Sequence, residues 1–253
     1  DAGEFGLRFP LILKPLTRRE DWAAIGGEAK ALMVESPGAL RDLWPRLATA
    51  KDGLLAQEMI PGPESAIESY HVYVDATGAV VAEFTGRKIR TFPLALGHST
   101  ALEITEARDV VTIGRDVVER LGLTGVAKLD FKRGPDGRLH LLEVNPRFNL
   151  WHHLGAVAGV NLPALVHADL SGRPRPPTAA RARAGARWCW PTKDIHAARA
   201  AGIPLASWLP WALGCDAKAV LAWDDPRPVL DSGLRRMLAR WPGLGRGDAG
   251  RAA

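Results

Sequence analysis

Leu142-Glu143-Val144-Asn145-Pro146-Arg147 is the stretch on which the reading of this chain turns. It closes a segment made of two strand-like runs, residues 126–132 and 138–145, separated by Gly134-Pro135-Asp136-Gly137. Gly, Pro and Asp punctuate turns, so the segment is expected to be a β-hairpin. Side chains alternate faces along a strand, which puts Lys128, Asp130 and Lys132 on one face and Leu141, Glu143 and Asn145 together on the return. A four-residue turn over 134–137 would pair Arg133 with Arg138. Asp130 would then lie opposite Leu141, with Glu143 as its diagonal neighbour, and diagonal neighbours have Cα atoms about 7–8 Å apart. Two carboxylates and a carboxamide oxygen thus converge on one patch.

Two carboxylates held close repel, and one takes a proton unless a cation intervenes. Oxygen-only donors suit a hard divalent ion, Mg²⁺ or Mn²⁺, which completes its shell with water and substrate phosphates. Arg147, directly after Pro146, is placed to grip a phosphate in a fork. The plain alternative is a solvated polar face on an exposed strand.

Outward from the hairpin, the elements read in order. Residues 9–15 form an apolar strand with Lys14 at its exit, followed by a polar loop over 16–30 that carries Gly26-Gly27 and is the candidate lid. Residues 31–34 are a short strand. Ser36-Pro37 marks a helix start, with Leu40, Leu43, Trp44 and Leu47 on its inner face. Residues 54–60 are a strand containing Glu58, a charge that is costly there unless satisfied. Residues 70–74 and 79–84 flank the hairpin turn Asp75-Ala76-Thr77-Gly78. Arg87, Lys88 and Arg90 follow; on a regular strand Lys88 and Arg90 share a face, either to meet anions or as a basic edge that discourages aggregation. Thr105 is the expected cap of a helix reaching about Leu121, with Val110, Ile113, Val117 and Leu121 inward and Gly122 as its stop.

These elements, in this order, resemble the ATP-grasp superfamily, and within it the predicted carboxylate–amine ligases, over about residues 8–173. The carrying motifs are Leu142 to Arg147 and the following Gly155-Ala156-Val157-Ala158-Gly159-Val160-Asn161-Leu162-Pro163. The resemblance implies an α+β ATP-grasp fold of two subdomains with antiparallel sheets gripping the nucleotide. It implies a small subdomain over 8–62 and a large one with the metal site over 63–173. A linker over 174–187 and a small Trp-rich C-terminal extension over 188–253 would follow. Residues 1–7 read as a cloning scar or the start of a fragment. Lys14 would contact nucleotide phosphates. Gln57, Glu58, Met59 and Ile60 would form the adenine hinge, with Glu64 on the ribose. Lys88 and Arg90 would face the γ-phosphate and an acyl phosphate or carboxylate, beside Arg147. Asp130, Glu143 and Asn145 would hold Mg²⁺ or Mn²⁺. The implied activity is an ATP-dependent ligase that joins a small-molecule carboxylate to an amine through an acyl phosphate. The other reading is a non-catalytic ATP-binding or regulatory module. The chain departs from the family's pattern in three ways: its phosphate loop has only Gly26-Gly27, Asp130 stands where many relatives have Glu, and the upstream domain is not in the sequence.

Composition narrows the classes further. Among 253 residues, 47% are hydrophobic and 24% charged, so the chain is neither disordered nor collagen-like. Cys189 and Cys215 are too few for a disulfide scaffold. No run is long enough to span a bilayer and the start is no secretory signal, so a cytoplasmic protein is expected. The net charge of +5 permits anions. The basic stretch over 173–187 lacks interleaved aromatics, which argues against nucleic acid.

Overall fold

The computed structural model describes residues 6–16, 22, 25–26, 31–49, 53–219 and 227. Two antiparallel sheets organise them. The smaller sheet contains β1 (Leu11–Pro15), β2 (Leu32–Val34) and β3 (Leu54–Glu58) in the order β2-β1-β3. Helix α1 (Pro37–Leu47) follows β2. Ser36 caps it by accepting a hydrogen bond from the Ala39 amide at 3.2 Å. Leu40 and Leu47 are buried against Leu11, Leu13 and Val34. Trp44 is exposed, in contrast to the inward position expected of it. Most of the candidate lid over 16–30 lies outside the described residues.

The larger sheet has seven strands. In chain order they are β4 (Ile67–Val74), β5 (Val80–Phe92), β6 (His98–Thr105), β7 (Gly125–Arg133), β8 (Leu139–Asn145), β9 (Arg187–Cys189) and β10 (Ala217–Lys218). Their spatial order is β10-β9-β6-β5-β4-β7-β8. The turn at 75–78 forms as expected: the Asp75 amide donates to the Ala79 carbonyl at 3.0 Å, and Gly78 adopts φ +84°.

Helix α2 (Arg108–Arg120) covers one face. It starts after β6, so Thr105 ends a strand instead of capping the helix. Its buried stripe is Val110, Gly114 and Val118, while Ile113 and Leu121 are exposed. The reason is steric. Gly114 lies against the Tyr70 ring, where a Cβ would come within 2.4 Å, and this contact sets the helix's rotation. The core here is Tyr70, Val72, Leu129 and Phe131 beneath that helix.

On the opposite face lie α3 (Trp151–Val157) and α4 (Leu162–Leu170), the latter capped by Asn161. The expected linker over 174–187 is partly built into the fold. The Ala179 and Arg183 amides donate to the Gly159 and Ala158 carbonyls, and Arg187 begins β9 on the edge of the large sheet. Helices α5 (Pro191–Ala200) and α6 (Leu205–Leu213) then pack with Cys189 and Cys215 around Trp208. The described residues up to 217 form one compact unit. The final Trp-containing stretches, beyond residue 219, lie outside the described residues apart from residue 227.

Candidate active site

The hairpin forms, but its register differs from simple counting. Arg133 pairs with Leu139 and Phe131 with Leu141, and Asp130 then pairs directly with Glu143. Leu142 is the extra residue of a bulge. Its carbonyl accepts a hydrogen bond from Gln57 Nε2 at 3.4 Å. The bulge moves Glu143 from the diagonal to the position straight across from Asp130, and it separates Leu141 from the face of Glu143.

Two rows of residues cross the sheet on this face. One is Gly86–Ser69–Asp130–Glu143, the other Phe84–His71–Lys128–Asn145. The row between them, Thr85–Tyr70–Leu129–Val144, points into the core under α2. Trp151 roofs the first row at Gly86, where an added Cβ would stand 2.4 Å from its ring.

Asp130 is 3% exposed. Its Oδ2 is 2.6 Å from Lys128 Nζ, and Ser69 Oγ donates to its Oδ1. Burial disfavours the Asp130 charge. The ammonium groups of Lys128 and Lys88, with the bonds from Lys128 and Ser69, outweigh that penalty and hold the carboxyl below its ordinary range. Glu143 is exposed above it. Asn145 Oδ1 accepts from Arg147 Nη2 at 3.3 Å, so the arginine after the proline lies beside the patch. Among the described residues no three His, Cys, Asp or Glu side chains cluster as a metal cage. The candidate set is two carboxylates and a carboxamide. Its oxygen chemistry, with Asp130 held ionised, fits a hard divalent ion that keeps most of its shell for water and phosphate.

Lys88 reaches the same patch. Its Nζ is 3.9 Å from Glu64 Oε2. Burial pulls it below the usual lysine range, with Lys128 adding to the effect and Asp130, Glu64 and Glu143 opposing it. Arg90 does not join it. The β5–β6 ladder skips a residue at Ile89, pairing Lys88 with Leu102 and Arg90 with Ala101, so the expected shared face is lost. The Arg90 guanidinium grips Asp194 at 2.6 Å and stacks on Trp211, 3.9 Å from the ring centroid. Thr100 Oγ1 also donates to Asp194, at 2.7 Å.

Lys14 Nζ donates to Gln57 Oε1 at 3.2 Å, and the same amide bonds to Leu142. One side chain therefore links the lysine of the small sheet to the strand that carries Glu143. In the expected hinge, the Met59 amide donates to the Pro10 carbonyl at 2.9 Å. Glu58 is satisfied at the surface by Arg8, at 2.9 Å, and this pairing lowers its pKa. Arg8 thus supplies the partner that a charge at that position needs; Ile60 follows beyond the end of β3. A cavity of about 860 Å³ lies on the sheet's other side, lined by Glu68, Arg87, Glu103 and Arg133 and by Pro61 and Gly62 just after the expected hinge.

Three residues acquire importance only in the folded chain. Lys128 and Ser69 hold Asp130, and His71 adjoins Lys128 in the ladder. The only sequence signal was the alternation that places Lys128 on the face of Asp130. His71 is fully buried, stacked on Phe84 at 4.4 Å, and His152 lies edge-on to it at 5.7 Å. Burial first, then the Lys128 ammonium, pushes the His152 imidazole down to about 4. Burial, Lys128 and His152 push His71 well below the ordinary range. The unfolded chain titrates both near 6.5 and so binds more protons below that pH. Stability is therefore full above about pH 6.5 and is lost as pH falls toward 4, by about 1.4 kcal/mol per unit for each histidine. Urea midpoints measured from pH 7 to 4 should fall steeply, and less steeply in His71→Leu/His152→Leu. Parallel profiles for the two proteins would show that the histidines are not held neutral.

Comparison with solved structures places this architecture. Biotin carboxylase from Campylobacter jejuni, solved with β-γ-ATP, matches with a TM-score of 0.54 and 15% identity, covering 71% of this chain and 41% of that one. The biotin carboxylase domain of Hydrogenobacter thermophilus 2-oxoglutarate carboxylase, complexed with MgADP, ADP and bicarbonate, matches with a TM-score of 0.51 and 13% identity, covering 71% and 40%. The ADP complex of purK, N5-carboxyaminoimidazole ribonucleotide synthetase, matches with a TM-score of 0.51 and 16% identity, covering 68% and 44%. The chain thus spans less than half the length of each. No curated protein matches it. Two antiparallel sheets, with the acidic hairpin on the larger and a lysine strand on the smaller, define an ATP-grasp fold. The chain belongs to the family described as "ATP-grasp in the biosynthetic pathway with Ter operon", whose model matches residues 51–193, more than half of the sequence.

Proposed function

We propose that the protein is an ATP- and Mg²⁺-dependent ligase that joins a small-molecule carboxylate to an amine through an acyl phosphate. One observation carries the reading. Asp130, Glu143, Asn145 and Lys88 gather on one sheet face, and Gln57 connects Lys14 to the adjoining strand. Glu58 to Ile60 contribute the strand end against which adenine would rest, and Glu64 would accept from the ribose.

Phosphoryl transfer asks a protein chiefly for positioning and for compensation of charge. Lys14, Lys88 and Arg147 supply three cations for the phosphates. Asp130, Glu143 and Asn145 would hold the Mg²⁺, which when bound neutralises phosphate charge. The substrate carboxylate attacks the γ-phosphate and ADP leaves. The amine then attacks the acyl carbon and phosphate departs. No protein nucleophile is required. Lys88, largely buried beside Glu64, would aim its ammonium at the phosphates. Arg90 enters this scheme only through the β5 strand, since Asp194 occupies its guanidinium.

Among the described residues no helix is long and apolar enough to cross a membrane. Titration calorimetry with ATP should give saturable binding that depends on Mg²⁺, and an ADP-release assay with mixed amino acids should show turnover. Binding without ADP release under any carboxylate and amine pair would favour the non-catalytic module. Absence of ATP binding would overturn both readings.

A further inference from the structure

We propose that Lys128 is the resident counter-ion of Asp130 and that it yields to a divalent cation by withdrawing into a recess formed by His71, His152 and Trp151. The inference rests on the metal reading above and concerns how the site is kept before the metal arrives.

Asp130 Oδ2 is not available as the molecule stands. Lys128 Nζ sits 2.6 Å from it, with the two side chains only 12% and 5% exposed. Ser69 takes the other oxygen. A divalent ion and an ammonium on one carboxylate oxygen repel strongly where water is scarce. One of them must leave, and Lys128 is tethered to the chain.

The surroundings show where it would go. In the ladder Lys128 stands between His71 and Asn145. Its Nζ is already 5.8 Å from the Trp151 ring centroid. His71 lies 5.1 Å from that ring and 5.7 Å from His152. Both His71 nitrogens and His152 Nε2 are buried with no hydrogen-bond partner in the structure, as is Asn149 Nδ2. Buried polar atoms normally have partners. His152 Nδ1 accepts from the Asn149 amide at 3.4 Å, so its Nε2 carries the proton and the vacant lone pair is that of His71; an ammonium has only donors, so Lys128 and His71 match. An indole face also attracts a cation. Asn149 Nδ2 is a donor and has no part in the exchange. The facing charges on neighbouring elements are Lys88, Glu64, Glu143 and Arg147, none of which meets the imidazoles in a hydrogen bond.

The test is Mn²⁺ uptake by the full chain, followed by the electron-spin signal of the free ion and therefore independent of turnover. Lys128→Met removes the competitor and should tighten Mn²⁺ binding about tenfold, within the usual range of coupled binding events. His71→Leu removes part of the recess and should weaken binding in the wild-type background. In the Lys128→Met background it should have no effect, which a merely structural role of His71 would not produce. If Lys128→Met does not fold, Lys128→Gln serves in its place. Unchanged or weaker Mn²⁺ binding in the lysine variant, with the wild type binding normally, would overturn the exchange and leave the ligase reading intact. Absence of Mn²⁺ uptake by every variant would instead strike the metal site itself, and the exchange with it.

Discussion

Glu143→Gln is expected to reduce turnover by at least about 100-fold while leaving the fold intact. Loss of a single preorganised charge-stabilising group at a reacting phosphate typically costs 10²–10³ in rate, on the order of 3–4 kcal/mol. The substitution preserves shape and removes the charge. Glu143 is exposed on β8 directly opposite Asp130. Like charges paired across a ladder are mildly destabilising, so the variant should unfold within about 0.5 kcal/mol of wild type or be slightly more stable. ADP release and urea unfolding on the same preparation separate the two effects. Full activity in the variant would refute the metal assignment.

Asp194→Ala should destabilise the protein by about 3–5 kcal/mol, the usual cost of stranding a buried charge. Asp194 is fully buried and accepts from Arg90 Nε and Nη2, Thr100 Oγ1 and Trp208 Nε1. These donors come from β5, β6 and α6, so one carboxylate joins the C-terminal helices to the large sheet. Its removal leaves a guanidinium, a hydroxyl and an indole N–H without their acceptor. Replacing the pair together, Arg90→Leu/Asp194→Leu, should recover much of the loss, because no charge is then left uncompensated. Urea unfolding of the wild type and these two variants measures the recovery. Equal destabilisation by the single and double variants would show that Asp194 acts through packing alone.

The extent to which this site was legible follows from these residues. The hairpin over 126–145, the cap at Ser36 and the turn at 75–78 all depend on neighbours within a few residues, and each formed. That Asp130, Glu143 and Asn145 come to one patch was legible because alternation in strands is a local rule. What failed was counting across irregularities. The extra residue at Leu142 put Glu143 straight opposite Asp130, and the skip at Ile89 parted Arg90 from Lys88. Glu58, a charge that needed a partner to be tolerated in its strand, finds it in Arg8, fifty residues earlier.

The sequence by itself determined the order of strands and turns, the oxygen-rich chemistry of the hairpin and the supply of cations, since these follow from residue type and short spacing. Only the tertiary structure decided which cation meets which acid. Arg90 finds Asp194 across 104 positions and Lys14 meets β8 through Gln57. Such pairings depend on bulges, sheet order and burial, where desolvation makes a charge take whatever partner the fold brings within reach.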